Sequence, residues 1–114
     1  MEDCIFCKIV KGEIPSKKVY EDDKVLSFED INPAAPTHIL VIPKKHIESL
    51  NEITDEDSEI IAHIFKVCKE IAKKLNIQEG GYRIVMNCGK DGGQEVPHIH
   101  FHMLGGRNLT WPPG

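Results

Sequence analysis

Three histidines alternate with apolar residues in Pro97-His98-Ile99-His100-Phe101-His102-Met103-Leu104. Successive side chains of a β-strand point to opposite faces. The spacing therefore predicts His98, His100 and His102 on one face, roughly 6.5–7 Å apart, with Ile99, Phe101 and Met103 on the other. Covered imidazoles need hydrogen-bond partners, and packing alone does not supply three of them. Metal ligation, or proton handling coupled to a nucleophile, are the chemistries open to such a set. The stretch just before, Gly89-Lys90-Asp91-Gly92-Gly93-Gln94-Glu95, is too rich in glycine for regular structure. Glycines let a backbone curl so that several N–H groups converge on an anion, and such a loop would present a phosphate to His100. A neutral imidazole nitrogen is a competent nucleophile toward phosphorus near pH 7. A neighbouring histidine can protonate the departing group, so one slow displacement becomes two faster ones.

A second candidate lies at the start of the chain, where Cys4-Ile5-Phe6-Cys7 forms a Cys-x-x-Cys. A redox pair lacks the βαβ context of a thioredoxin-like motif. Half of a tetrahedral zinc site fits the spacing but needs two further ligands, and two buried apolar thiols are the third reading. Asp30, where a strand empties into Ile31-Asn32-Pro33-Ala34-Ala35-Pro36, offers a carboxylate either to ligand hydroxyls or to its own turn. His38, His46 and His63, taken singly, read as satisfied or solvated histidines.

The elements that must position these groups follow from pattern. Apolar residues at 5, 6, 9 and 10, stopped by Gly12 and Pro15, predict a short helix. Val19-Tyr20-Glu21 and Val25-Leu26-Ser27-Phe28-Glu29 flank Asp22-Asp23 as a hairpin, with Leu26 and Phe28 facing the core. His38-Ile39-Leu40-Val41-Ile42-Pro43 reads as a central strand. Thr54 caps a long helix with Asp55, Glu56 and Asp57 in its first turn, Ile60, Ile64, Val67, Ile71 and Leu75 along its buried stripe, and Cys68 as a core thiol. Tyr82 to Cys88 and the histidine stretch supply two more strands. One long helix, one short helix and five strands make an α+β domain with an antiparallel sheet.

Composition bounds the function. The 114 residues predict one domain, residues 1–114, with neither internal repeat nor low-complexity segment. A net charge of −4, with 14 basic residues in no block longer than a pair, argues against broad nucleic-acid binding. No apolar run approaches the ~18 residues of a membrane span. The acidic start Met1-Glu2-Asp3-Cys4 lacks the basic and apolar regions of a signal peptide, which predicts a cytoplasmic protein whose cysteines are thiols or metal ligands.

His98-Ile99-His100-Phe101-His102-Met103-Leu104 resembles the His-φ-His-φ-His-φ-φ signature of the histidine triad (HIT) superfamily, φ being apolar. Glu13-Ile14-Pro15, Ala35-Pro36-Thr37-His38, Val41-Ile42-Pro43-Lys44-Lys45-His46, Gly92-Gly93-Gln94, Leu104-Gly105-Gly106-Arg107 and Trp111-Pro112-Pro113-Gly114 are similar to its nucleotide-binding (Hint-like) branch. The resemblance implies a HIT-like fold and a purine nucleoside phosphoramidase, acting on adenosine or guanosine 5′-phosphoramidates through a nucleotidyl-histidine. It assigns His100 as nucleophile, His102 to the phosphate and leaving group, and His38 as a supporting histidine. Asp30 and Ile31 fall at ribose and base positions, and Asn87, Gly93, Gln94 and Glu95 at the phosphate. Glu95 departs from the serine of eukaryotic members and brings a negative charge to that position. Bacterial-type members with an N-terminal Cys-x-x-Cys imply a structural Zn²⁺ held by Cys4, Cys7, His46 and His98. The resemblance further implies a homodimer, with Trp111 reaching toward the partner's active site. Two rival readings are a dinucleoside polyphosphate hydrolase and a non-catalytic, zinc-stabilised nucleotide-binding or interaction module.

Overall fold

The computed structural model describes residues 3–114, and the first two residues of the acidic start, Met1 and Glu2, lie outside the described residues. The elements are α1 (Ile5–Val10), β1 (Lys18–Glu21), β2 (Val25–Glu29), β3 (Thr37–Pro43), α2 (Ser58–Lys74), β4 (Tyr82–Val85) and β5 (Phe101–Gly105), with short 3-10 turns at Leu50–Glu52 and Asp55–Asp57. The five strands form one antiparallel sheet in the order β1-β2-β3-β5-β4. None of the helices is long and apolar enough to cross a membrane, among the described residues.

Both helices end by the same device. Gly12 adopts a positive φ of 79°, its N–H donates to Ile9 O (3.0 Å) and Glu13 N–H donates to Lys8 O (2.9 Å), which closes α1. Asn76, at φ 59°, does so for α2, with Ile77 N–H donating to Ala72 O (3.0 Å). At its other end α2 is entered through a capping box between Thr54 and Asp57.

The sheet separates two clusters. On one face Val25, Ile39, Val41, Phe101 and Met103 pack against Ile64, Val67, Cys68 and Ile71 of α2. On the other, Leu26, Phe28, Leu40 and Ile42 pack against Cys4, Phe6, Cys7 and Ile9 of the α1 segment. Leu26 and Phe28 are therefore buried beneath α1, not in the larger core. Strands β2 and β3 are covered on both faces, which explains their nearly continuous apolar sequences.

The histidine stretch enters the sheet later than its alternation predicts. Regular β5 begins at Phe101, and its last pair with β3 is Val41↔Phe101. Beyond that point Pro43 has no N–H to continue the ladder, and its carbonyl accepts instead from His98 Nε2 (2.8 Å). Ile99 N–H donates to Ile47 O (2.7 Å), so the segment pairs with the chain after β3. Strand β4 correspondingly stops at Val85, paired with His102, rather than running on to Cys88.

Candidate active site and metal centre

His38 on β3 and His102 on β5 are diagonal neighbours on the α1 face, because Leu40 is the residue opposite His102. Ala34 N–H donates to His38 Nδ1 (2.9 Å), which puts that ring's proton on Nε2. His38 Nε2 lies 2.9 Å from His102 Nδ1 and 3.4 Å from Asp30 Oδ2, so its proton goes to the nearer acceptor. His102 then carries its own proton on Nε2, a buried atom without a protein partner. His100 has the opposite arrangement. Its Nδ1 donates to His98 O (2.8 Å), which leaves a lone pair on Nε2. One ring thus offers a lone pair and its neighbour an N–H, with ring centroids 5.1 Å apart.

Electrostatics favour the neutral rings of His102 and His38. Burial pushes the His102 imidazolium down to about 4, with help from His100 and His38 and against the pull of Asp30. Burial lowers His38 as well, opposed by Asp30.

The three rings border a cleft of about 470 Å³. Ile5, Phe6, Ile9, Phe28 and Leu40 give it apolar walls, and Asp30, Ile31, Asn32, Asn87, Gly93 and Glu95 also line it. Ile31 is 92% exposed, a large apolar side chain presented to solvent at the mouth. An apolar slot with polar groups and imidazoles at one end suits a flat aromatic ring joined to an anion.

Gln94 is engaged elsewhere. Its Nε2 donates to Glu48 O (2.7 Å) and Val96 O (3.0 Å), and its Oε1 accepts from Gly89 N–H (3.0 Å). Together with Gln94 N–H to Gly89 O (3.0 Å) and Gly93 N–H to Lys90 O (3.1 Å), this closes residues 89–94 into a compact turn beside the cleft. The loop before β3 is held just as firmly. Asp30 Oδ1 accepts from Asn32 N–H (2.7 Å), and Arg107 Nη2 donates to Ala34 O (2.9 Å).

The second constellation contains Cys4, Cys7, His46 and His98, whose donor atoms all lie within 4.8 Å of one another. Cys4 Sγ is 3.4 Å from His98 Nδ1, Cys7 Sγ is 3.2 Å from His46 Nδ1, and the two Nδ1 atoms are 3.2 Å apart. A tetrahedral ion with Zn–S ≈ 2.3 Å and Zn–N ≈ 2.0–2.1 Å requires ligand–ligand edges of about 3.3–3.8 Å, so this donor set fits such an ion. His98 Nε2 donates to Pro43 O, which turns the Nδ1 lone pair toward the sulfurs. Burial pushes the Cys7 thiol up to about 11, followed by the effect of Cys4, while burial brings His98 down to about 4. Neutral imidazoles are ready ligands, whereas the thiols must release protons as they bind. Asp30, His38 and His102 also lie close together. There the His38 proton occupies the nitrogen that a metal would need, so that trio is a hydrogen-bond relay.

The HIT domain signature matches residues 11–109. This chain belongs to the HIT family. It is 54% identical to a HIT family hydrolase of Legionella pneumophila whose structure superimposes with a TM-score of 0.97, covering 98% of this chain and 100% of the other. A histidine triad nucleotide-binding protein of Candida albicans is 40% identical, with a TM-score of 0.83 over 96% of this chain and 83% of its own. A 14 kDa zinc-binding protein of Zea mays is 52% identical over 112 residues, 96% of this chain and 87% of that protein.

In this HIT-family chain the histidine stretch divides between the two constellations: His98 directs its ring to the cysteines, and His100 and His102 face the cleft. The apolar wall from Ile5, Phe6 and Ile9 is not apparent from motif reading, although Phe6 lies between the two cysteines that draw attention to the segment. His63 has a specific partner, Asp22 Oδ2 at 2.6 Å, which also accepts from Tyr20 O–H at 2.6 Å. Trp111 is 79% exposed, and the tail before it is held by Arg83, whose Nη2 donates to Leu109 O (3.2 Å) and Thr110 O (3.0 Å).

Proposed function

We propose that this chain is a nucleotide hydrolase, specifically a purine nucleoside phosphoramidase. The observation that carries the reading is the complementary pair of tautomers, a lone pair on His100 Nε2 and an N–H on His102 Nε2, bordering one cleft with apolar walls. His100 Nε2 attacks phosphorus and the P–N bond breaks, leaving a nucleotidyl-histidine. The docked phosphate raises the proton affinity of His102, which takes up a proton from solvent to become the imidazolium, passes one to the departing amine, and as the neutral ring takes one from the water that cleaves the intermediate and frees His100. His38 holds the orientation of His102, Asp30 accepts from the ribose hydroxyls, and Ile31 covers the base. Asn87, Gly93, Gln94 and Glu95 serve the phosphate side, Gln94 by holding the loop. The names borne by the Legionella and Candida relatives support hydrolase and nucleotide-binding roles.

The reading includes a structural Zn²⁺ on Cys4, Cys7, His46 and His98, in keeping with the name of the maize relative. Bound there, the ion supplies a cross-link between the start of the chain and the catalytic stretch. It also includes a homodimer, for which the unpaired edge of β4 and the half-exposed Phe65 of α2 are available surfaces.

The test is incubation with an adenosine 5′-phosphoramidate and, in parallel, with a diadenosine polyphosphate, trapping labelled protein. The phosphoramidate is expected to be consumed with a trapped adenylyl-protein, and His100→Ala to abolish both. Preference for the polyphosphate would move the assignment to the rival hydrolase. Identical behaviour of wild type and His100→Ala on both would remove the enzyme reading. Metal analysis of natively purified protein is expected to find one zinc, lost on Cys4→Ala/Cys7→Ala.

A further inference from the structure

The two constellations share α1 and His98. Between Cys4 and Cys7 lie only Ile5 and Phe6, and both border the cleft. The Phe6 ring meets His100 edge-on, at a centroid distance of 5.1 Å and an interplanar angle of 83°, and also meets His98 at 5.9 Å and Phe28 at 5.6 Å. His98 directs its ring nitrogen toward Cys4 and Cys7, while its main-chain carbonyl accepts the His100 Nδ1 proton that defines the attacking tautomer. Helix α1 has six residues, too few to hold a helical conformation by its own hydrogen bonds. Its placement depends on what its side chains are tied to.

We infer that α1 is a metal-set wall of the nucleotide cleft. Metal held by Cys4, Cys7, His46 and His98 fixes Phe6 against His100 and steadies the His98 carbonyl behind it, so metal occupancy governs both nucleotide affinity and the competence of the nucleophile. Phe6 is a positioning residue, acting through the His100 ring. This rests on the nucleotide reading above and adds its regulation. Without the cross-link, the wall formed by Ile5, Phe6 and Ile9 loosens and the His100 ring gains freedom, while the sheet and α2 retain their own core.

The experiment compares the full chain loaded with Zn²⁺ and stripped of it, using AMP titration by calorimetry and the NMR signal of the His100 Nδ1 proton. A misfit of a single methylene in an apolar pocket already costs roughly ten- to two-hundred-fold in discrimination between ligands. Removal of the metal is expected to weaken AMP by about tenfold or more on that scale, to broaden the His100 signal, and to be reversed by Zn²⁺. Unchanged affinity and an unchanged signal in the stripped protein would overturn the inference, as would failure to take up the metal. A loaded protein that does not bind AMP overturns the nucleotide reading instead, and the His100 signal then decides the coupling alone. Phe6→Ala in the loaded protein supplies the second arm. It is expected to retain metal yet slow adenylyl transfer in a single turnover, with Phe6→Tyr restoring the rate. Full transfer and AMP affinity in Phe6→Ala would refute its positioning role.

Discussion

On the proposed nucleotide reading, Gly92→Ala should disable the phosphate side of the cleft while sparing the fold. Gly92 does not need a positive φ; its constraint is space. An added Cβ would collide with the Cys88 carbonyl oxygen and stand 3.0 Å from Cys88 N and 3.1 Å from Cys88 C, all backbone atoms that cannot rotate away. Relief requires residues 89–94 to move by on the order of 1 Å, a displacement that at a reacting centre costs about 10²-fold in rate. Such a shift would strain the bonds that close the turn through Gln94 and would carry Gly93 and Glu95 away from the cleft. Stability should fall by only about 1–3 kcal/mol, the usual cost of overpacking. Gly89→Ala is the control. Gly89 has φ 74° but no neighbour within 4 Å of an added Cβ, so the substitution adds backbone strain of about 1–2 kcal/mol without the collision. Phosphoramidate hydrolysis, AMP affinity and thermal melting on the two variants separate the effects. A folded Gly92→Ala protein with wild-type turnover and AMP affinity would show that the loop's position is irrelevant to phosphate.

Two further outcomes follow from the buried polar groups. His102 is held near 4 by burial, whereas the unfolded chain titrates near 6.5. Its contribution to stability is complete above that unfolded value and is lost as pH falls toward 4. For a half-buried ring, after allowance for solvent screening, this is on the order of 1 kcal/mol. Urea unfolding at pH 7.5 and 4.5 should show the decline, smaller in His102→Gln; equal declines would contradict it. Burial alone would raise the Asp22 carboxyl, but hydrogen bonds from Tyr20, His63 and the Lys24 and Val25 amides outweigh it and hold the group well below the usual range. Tyr20→Phe should therefore cost about 1 kcal/mol in chemical denaturation, with a non-additive effect when His63→Phe is combined; simple additivity would mean that the shared carboxylate does not couple them.

What was legible in the sequence was chiefly periodic. The long apolar stripe from Ile60 to Leu75, the hairpin around Asp22-Asp23 and the alternation at His98, His100 and His102 correspond to α2, β1–β2 and the approach to β5. Period identifies faces, but it does not show where a ladder stops. That depended on Pro43, a residue 55 positions from His98 that accepts from its ring and donates nothing. The hairpin pattern likewise buried Leu26 and Phe28 without revealing which of two layers would cover them. Asp22 with His63, and Phe6 with His100, are single long-range contacts between residues that carry no shared motif. Gln94 shows the reverse difficulty: a polar side chain beside a glycine pair invites a ligand role, yet main-chain groups take up its amide.

Ala34 has only a methyl side chain, but its N–H determines which nitrogen of His38 carries the proton, and its carbonyl is held by Arg107. The location of a proton inside the cleft is thereby tied to the closure of a surface loop, and the exchange rate of one backbone amide becomes a reporter of the His38 ring. Opening of the loop would free the ring to take either tautomer. Conventional side-chain replacement at Ala34 leaves this lock in place, because the operative atom belongs to the main chain.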